Sequence, residues 1–113
     1  MHDEVPLGSF EEQVLLAVIR TGRDPSGAYG MAVRRELEEV TGRGVAIGAV
    51  YATLDRLEAK GLVTSARGET AAAESRRLFA VSPQGARALA GSREMRDRLW
   101  RGVNLAPLLS RGG

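Results

Sequence analysis

Ala46-Ile47-Gly48-Ala49-Val50-Tyr51-Ala52-Thr53-Leu54-Asp55-Arg56-Leu57-Glu58-Ala59-Lys60-Gly61-Leu62-Val63 is the stretch on which the reading of this chain turns. Val50, Leu54, Leu57 and Gly61 recur at i, i+4, i+7 and i+11, the spacing of one buried stripe on an α-helix. The opposite face carries Ala49, Ala52, Thr53, Arg56 and Lys60, which are small, hydroxylated or cationic. Gly61 stops the helix, and Leu62-Val63-Thr64 begins an extended run. A short amphipathic helix with a lightly built, cationic outer face has the shape a nucleic-acid groove accepts.

Upstream, Ser9 with Glu12 three residues later forms a capping-box pattern. Phe10 and residues 14–19 are apolar nearly all round, which predicts a central, buried first helix. Residues 21–27 are dense in breakers and read as a loop. A second helix over residues 29–40 turns Val33, Leu37 and Val40 inward and Arg34, Arg35, Glu36, Glu38 and Glu39 outward. Thr41-Gly42-Arg43-Gly44 ends it, and the third helix spans residues 48–60.

Downstream, residues 62–67 and 76–81 are strand candidates. The small, polar segment 68–75 between them is a hairpin tip, although Ala71, Ala72 and Ala73 also have helical propensity. Ser82-Pro83 supplies an N-cap with proline at the first helical position. The fourth helix runs from there to about Trp100 with a thin apolar stripe of Leu89, Ser92, Met95 or Arg96, Leu99 and Val103. Residues 104–113, with Pro107 and two terminal glycines, read as partly loose. The predicted fold is mostly α with a small β-hairpin wing. It is a winged helix-turn-helix over residues 1–82 with a C-terminal dimerisation helix and tail over residues 83–113.

Bulk properties narrow the function. The 113 residues suit one domain with a single core. Apolar content of 43% and charged content of 27% are near globular averages. The absence of cysteine excludes disulfides and thiolate chemistry and fits a reducing cytoplasm. No apolar run approaches a membrane span, and Met1-His2-Asp3-Glu4 is unlike a signal peptide. His2 is the only histidine, and no His-carboxylate spacing suggests a metal, a cofactor or catalysis. Residues 1–66 hold 7 basic and 10 acidic side chains, whereas residues 67–113 hold 9 and 4. That asymmetry suits an anionic partner or a solvated helix face.

The chain resembles the PadR family of bacterial transcriptional regulators. Leu7-Gly8-Ser9-Phe10-Glu11 with residues 14–18 resembles the family's first helix, and Tyr29-Gly30 with Arg35-Glu36-Leu37-Glu38 resembles its second. Gly48-Ala49-Val50-Tyr51 followed by residues 54–63 is the strongest match. Arg76-Arg77-Leu78-Phe79-Ala80-Val81-Ser82-Pro83-Gln84-Gly85 resembles the return strand of the wing and the start of the last helix. The resemblance covers residues 7–87, more weakly to Trp100. Two features depart from the family: Ala46 stands where serine is common as N-cap, and the wing has fewer basic and aromatic residues. The resemblance implies a cytoplasmic, homodimeric repressor on a palindromic operator in double-stranded DNA, with a small aromatic effector in some members. A winged-helix protein-interaction module without DNA binding is the alternative.

Candidate DNA-binding residues follow from that placement. Gly48 and Ala49 open the recognition helix, where free amides attract phosphate. Tyr51 suits a phosphate or base contact, or the rim of the core. Ala52 leaves room for the groove, and Thr53 and Arg56 lie one turn apart, arginine being suited to guanine O6/N7 or phosphate. Arg56 has an alternative partner in the neighbourhood of Asp55 or in Glu58. Lys60 suits phosphate or a solvated cap. Arg76 and Arg77 in the wing point opposite ways, so that one of the two reaches DNA. Arg34 and Arg35 fit a solvated face with Glu38 and Glu39. Leu89, Met95, Leu99 and Trp100 are the dimerisation candidates, and Trp100 and Met95 could also line an effector site between paired helices.

Overall fold

In the computed structural model, which describes residues 7–67 and 76–111, three helices precede a hairpin and two follow it. They are α1 (Ser9–Thr21), α2 (Gly30–Thr41), α3 (Ile47–Ala59), β1 (Val63–Arg67), β2 (Arg77–Val81), α4 (Pro83–Trp100) and α5 (Ala106–Arg111). The hairpin tip expected at 68–75 lies outside the described residues. The order matches the predicted winged helix-turn-helix, with helix boundaries within one residue or so of those expected.

The start of α1 differs from the capping box read at Ser9 and Glu12. Gly8 is the N-cap, and its amide donates to Glu11 Oε1 at 3.0 Å. With the cap one residue earlier, the third helical position falls on Glu11, and Glu12 is left for another partner. Val14, Leu15, Ala17 and Val18 of α1 join Val33, Leu37, Val50, Leu54, Leu57, Val63 and Phe79 in one core. Leu16 and Ile19 are exposed, so α1 is not buried all round. The core elements cover one side of it, and an all-apolar helix does not say which side that is.

α2 starts at the N-cap Tyr29 and ends at Gly42, whose φ of 71° is the left-handed conformation that closes a helix. Val33 and Leu37 are buried, but Val40, expected inward, is exposed in the last turn of the helix although it shares their face. α3 begins at the N-cap Ala46, which makes no side-chain capping bond. Arg34 Nε donates to the Val45 carbonyl at 2.7 Å, and Glu38 accepts the Val45 amide at 2.9 Å. This pair stitches the turn between α2 and α3, and the two side chains also lie 3.6 Å apart as the i, i+4 pair expected. At the far end, Gly61 adopts φ 78° and is exposed, ending the helix rather than continuing its buried stripe.

β1 and β2 pair antiparallel from Val63 against Val81 to Arg67 against Arg77. The Phe79 amide donates to the Ala28 carbonyl at 2.8 Å, tying the hairpin to the α1–α2 loop. Ser82 caps α4 as expected, its hydroxyl accepting the Gly85 amide at 3.0 Å and donating to the Gly61 carbonyl at 2.6 Å. Gly85 lies so close to β1 that a Cβ there would fall 2.1 Å from the Leu62 carbonyl oxygen. Only a residue without a side chain permits that approach.

α4 buries Gly85 and Ala88, with Leu89 packed against the core, and then leaves the body. Every described residue from Arg93 onward is exposed. The radius of gyration is 16.6 Å, against about 13 Å for a compact domain of this length. The tail expected to be loose forms α5 instead. Asn104 Oδ1 accepts the Ala106 amide at 3.1 Å, and Pro107 sits in the first turn, where its missing N–H has no partner to lose.

Candidate nucleic-acid interface

α3 buries Val50, Thr53, Leu54 and Leu57 and turns Gly48, Ala49, Tyr51, Ala52, Asp55 and Arg56 outward. Thr53, expected on the outer face, is 2% exposed. It lies three residues after Val50 and four before Leu57, which places it within the stripe. Its hydroxyl accepts from Arg56 Nη2 at 3.1 Å, so the exposed guanidinium is held from beneath by a buried threonine. Nothing would lie within 4 Å of a Cβ at Gly48, and the small residues at 49 and 52 keep this end of the helix open.

Tyr51 packs over α2: its ring lies 2.4 to 2.5 Å from where a Cβ would stand on Gly30. Lys60 Nζ reaches back to Glu11 Oε2 at 2.8 Å. This contact, and next the Gly8 amide, hold the Glu11 carboxyl below the ordinary glutamate range, against the upward push of burial.

The two wing arginines diverge as their alternation requires. Arg76 stacks 4.3 Å above the Tyr29 ring, whose hydroxyl accepts from Arg35 Nη2 at 2.6 Å, with the Arg35 guanidinium 5.7 Å from the same ring. Arg77 turns toward α3, where it binds Asp55 at 3.0 Å and Glu58 at 2.6 Å and lies 4.8 Å over the Phe79 ring. The Asp55 bond foremost, with Glu58, raises the Arg77 pKa further above its ordinary value. The acids that sequence offered to Arg56 are thus taken by Arg77.

On the arm, Met95, Leu99 and Trp100 are exposed, whereas Leu89 is half-buried against the body's own core. Arg96 pairs with Glu12 of α1, and Arg98 with Glu94 at 3.3 Å.

Sequence reasoning did not find the roles of Tyr29, Arg35, Asp55 and Glu58, nor the Glu12–Arg96 pair. Except for Arg35 on Tyr29, these contacts join segments distant in the chain, and no local spacing signals such a contact. Arg35, read as one of a solvated pair, carried the nearest hint through its position beside Tyr29-Gly30.

Three helices, a two-stranded wing and a trailing helix define the winged helix-turn-helix class. Among the described residues no helix is long and apolar enough to cross a membrane. A model of the transcriptional regulator PadR-like family matches residues 15–91. The chain belongs to the PadR-like family of transcriptional regulators, and its role is therefore regulatory rather than enzymatic.

Solved structures agree with this class. One complex structure of H. salinarum RosR has a TM-score of 0.70 and 24% identity, covering 94% of this chain and 84% of that one. A second RosR complex has a TM-score of 0.68 and 28% identity, covering 86% and 79%. Bordetella bronchiseptica BpsR has a TM-score of 0.58 and 17% identity, covering 97% and 76%; its structure addresses the regulation of its DNA binding by 6-hydroxynicotinic acid. No curated protein matches the sequence significantly.

Proposed function

We propose that this protein is a homodimeric repressor that binds a palindromic operator in double-stranded DNA through α3. The observation that carries the reading is the outer face of α3. It combines open, small positions at Gly48, Ala49 and Ala52 with an exposed Arg56 guanidinium, while Arg77 neutralises the acids of the same helix.

In this reading Gly48 brings the amide of the helix start to a phosphate, and Ala49, whose own amide donates to the Ala46 carbonyl at 3.1 Å, leaves room beside it. Ala52 and Tyr51 line the groove surface, and Arg56 reads guanine O6/N7 with Thr53 orienting it from below. Arg76, with Arg35 beside it on Tyr29, lies at the base of the wing for a backbone phosphate. Arg77 keeps Asp55 and Glu58 from repelling the duplex. Lys60 is tied to Glu11, so that it fixes the end of the recognition helix and its charge is largely met there.

The apolar stripe of α4 continues past the body through Met95 and Leu99, and Trp100 is exposed beside it. A second copy covering it would set two recognition helices about 34 Å apart, one turn of DNA. A small aromatic effector would then sit between the arms against Trp100 and Met95. The regulated DNA binding of BpsR supports an effector of that class.

Footprinting upstream of its own gene and its neighbours tests the reading. A protected inverted repeat is expected, with affinity falling steeply as salt rises. Arg56→Ala should cost about 1–3 kcal/mol and relax preference at one base. Absent or salt-insensitive binding would leave a protein-interaction module.

A further inference from the structure

Two neighbouring carboxylates of α1 reach in different directions. The Glu11 and Glu12 side chains are 12% and 11% exposed. Successive helical residues turn by about 100°. Glu11 consequently faces the end of α3 and binds Lys60 at 2.8 Å, whereas Glu12 faces α4 and binds Arg96. A carboxylate buried this far is costly to keep charged without a cation, and each of these holds one.

Among the described residues, α4 otherwise packs on the body over its first half, by Gly85 against the Leu62 carbonyl and by Ala88 and Leu89, and it is half-buried as far as Ser92. Arg96 lies eleven residues beyond Gly85, about 16 Å along the axis. It steadies the helix where the arm has already left the core. A swing of about 10° at Gly85 would carry Trp100, about 22 Å along α4, through about 4 Å. One base pair rises about 3.4 Å, so a small change in tilt amounts to a whole step of DNA.

We propose that Glu11 and Glu12 are positioning residues: together they brace α3 against α4 through α1 and so set the half-site separation that the dimer accepts. This rests on reading α3 as the recognition helix and α4 as the dimer helix. Neither glutamate touches DNA; the Glu12–Arg96 link sets arm tilt, and the Glu11–Lys60 link holds the end of the recognition helix to the same support.

The chain has no cysteine, so Ala59→Cys on α3 and Asp97→Cys on α4 give one clean spin-label pair. Label distances are measured without DNA, in protein diluted with unlabelled chain. The parent should give one narrow distance. Glu12→Gln and Arg96→Met should broaden or shift it by several ångströms, and Arg96→Lys should restore it. On DNA, the parent should discriminate at least tenfold against operators whose half-sites are moved by one base pair. Glu12→Gln should reduce that ratio to about threefold while leaving binding to an isolated half-site within twofold.

Unchanged label distances in Glu12→Gln, or retained spacing discrimination, would overturn the proposal. So would parallel loss of half-site and full-site binding, the mark of a merely structural role. If the parent binds no DNA, the functional reading fails separately, and the label distances still decide whether the brace exists.

Discussion

Leu15, Leu54 and Leu57 at the centre of the body are completely buried, whereas Leu99, Leu108 and Leu109 on the arm are 69%, 61% and 73% exposed. A leucine withdrawn from water contributes about 1.5–3 kcal/mol. The body collects that contribution within a single chain. The arm collects it only against something else. The body therefore reads as the unit that folds, and the arm as the surface on which the proposed second copy would act.

Truncating one leucine on each side gives the largest difference. Leu54→Ala should lower unfolding free energy by about 3 kcal/mol in denaturant titration, because it leaves a cavity in a packed core. Leu99→Ala, titrated where the chain is monomeric, should change it by less than about 0.5 kcal/mol. Leu99→Asp should instead shift light-scattering mass toward the monomer while the circular dichroism of the body persists. An unchanged assembly would assign dimerisation to another face.

At the junction of the two regions, Gly85→Ala forces a methyl against the Leu62 carbonyl. A loss of about 2 kcal/mol is expected, within the range for overpacking a tight site. Arg77→Met should cost about 1 kcal/mol or less of stability, since its partners are partly exposed. It should nevertheless weaken operator binding about tenfold at low salt by uncovering Asp55 and Glu58, an effect that shrinks as salt rises.

The smallest effect concerns pH. The folded Glu11 carboxyl lies below its unfolded value of about 4.3, so its contribution is whole above that pH and fades as pH falls through the folded value. Glu11→Gln should flatten that acid limb of the stability curve and leave the neutral region nearly parallel to the parent.

Much of the body was legible because its signals are periodic and local. The spacing of Val50, Leu54 and Leu57 marked α3, Gly61 marked its end, and Ser82-Pro83 marked the start of α4. Thr53 was misplaced because its hydroxyl suggested an outward side chain, although its place three residues after Val50 and four before Leu57 lies within the buried stripe. Leu16 and Ile19 were misplaced because an all-apolar helix announces burial without saying which neighbours supply it. The ion pairs that join α1 to α3 and α4 had no local signature at all. The proposed site was legible in its helix, through Arg56 and the small residues before it. The environment of that site was not, since the placement of Asp55, Glu58, Arg76 and Arg77 is a product of tertiary approach.

Gly30 is a glycine for a reason outside its own backbone. Its φ is not positive, and the ring of Tyr51 occupies the place a Cβ would take. The two positions are thus one unit of variation. Alanine at 30 should be viable once residue 51 is small, and a tyrosine at 51 should enforce glycine at 30. A library randomised at both positions would reveal that rule as covariation between the start of α2 and the face of α3. Any redesign of the proposed recognition surface at residue 51 then also opens a choice on the supporting helix.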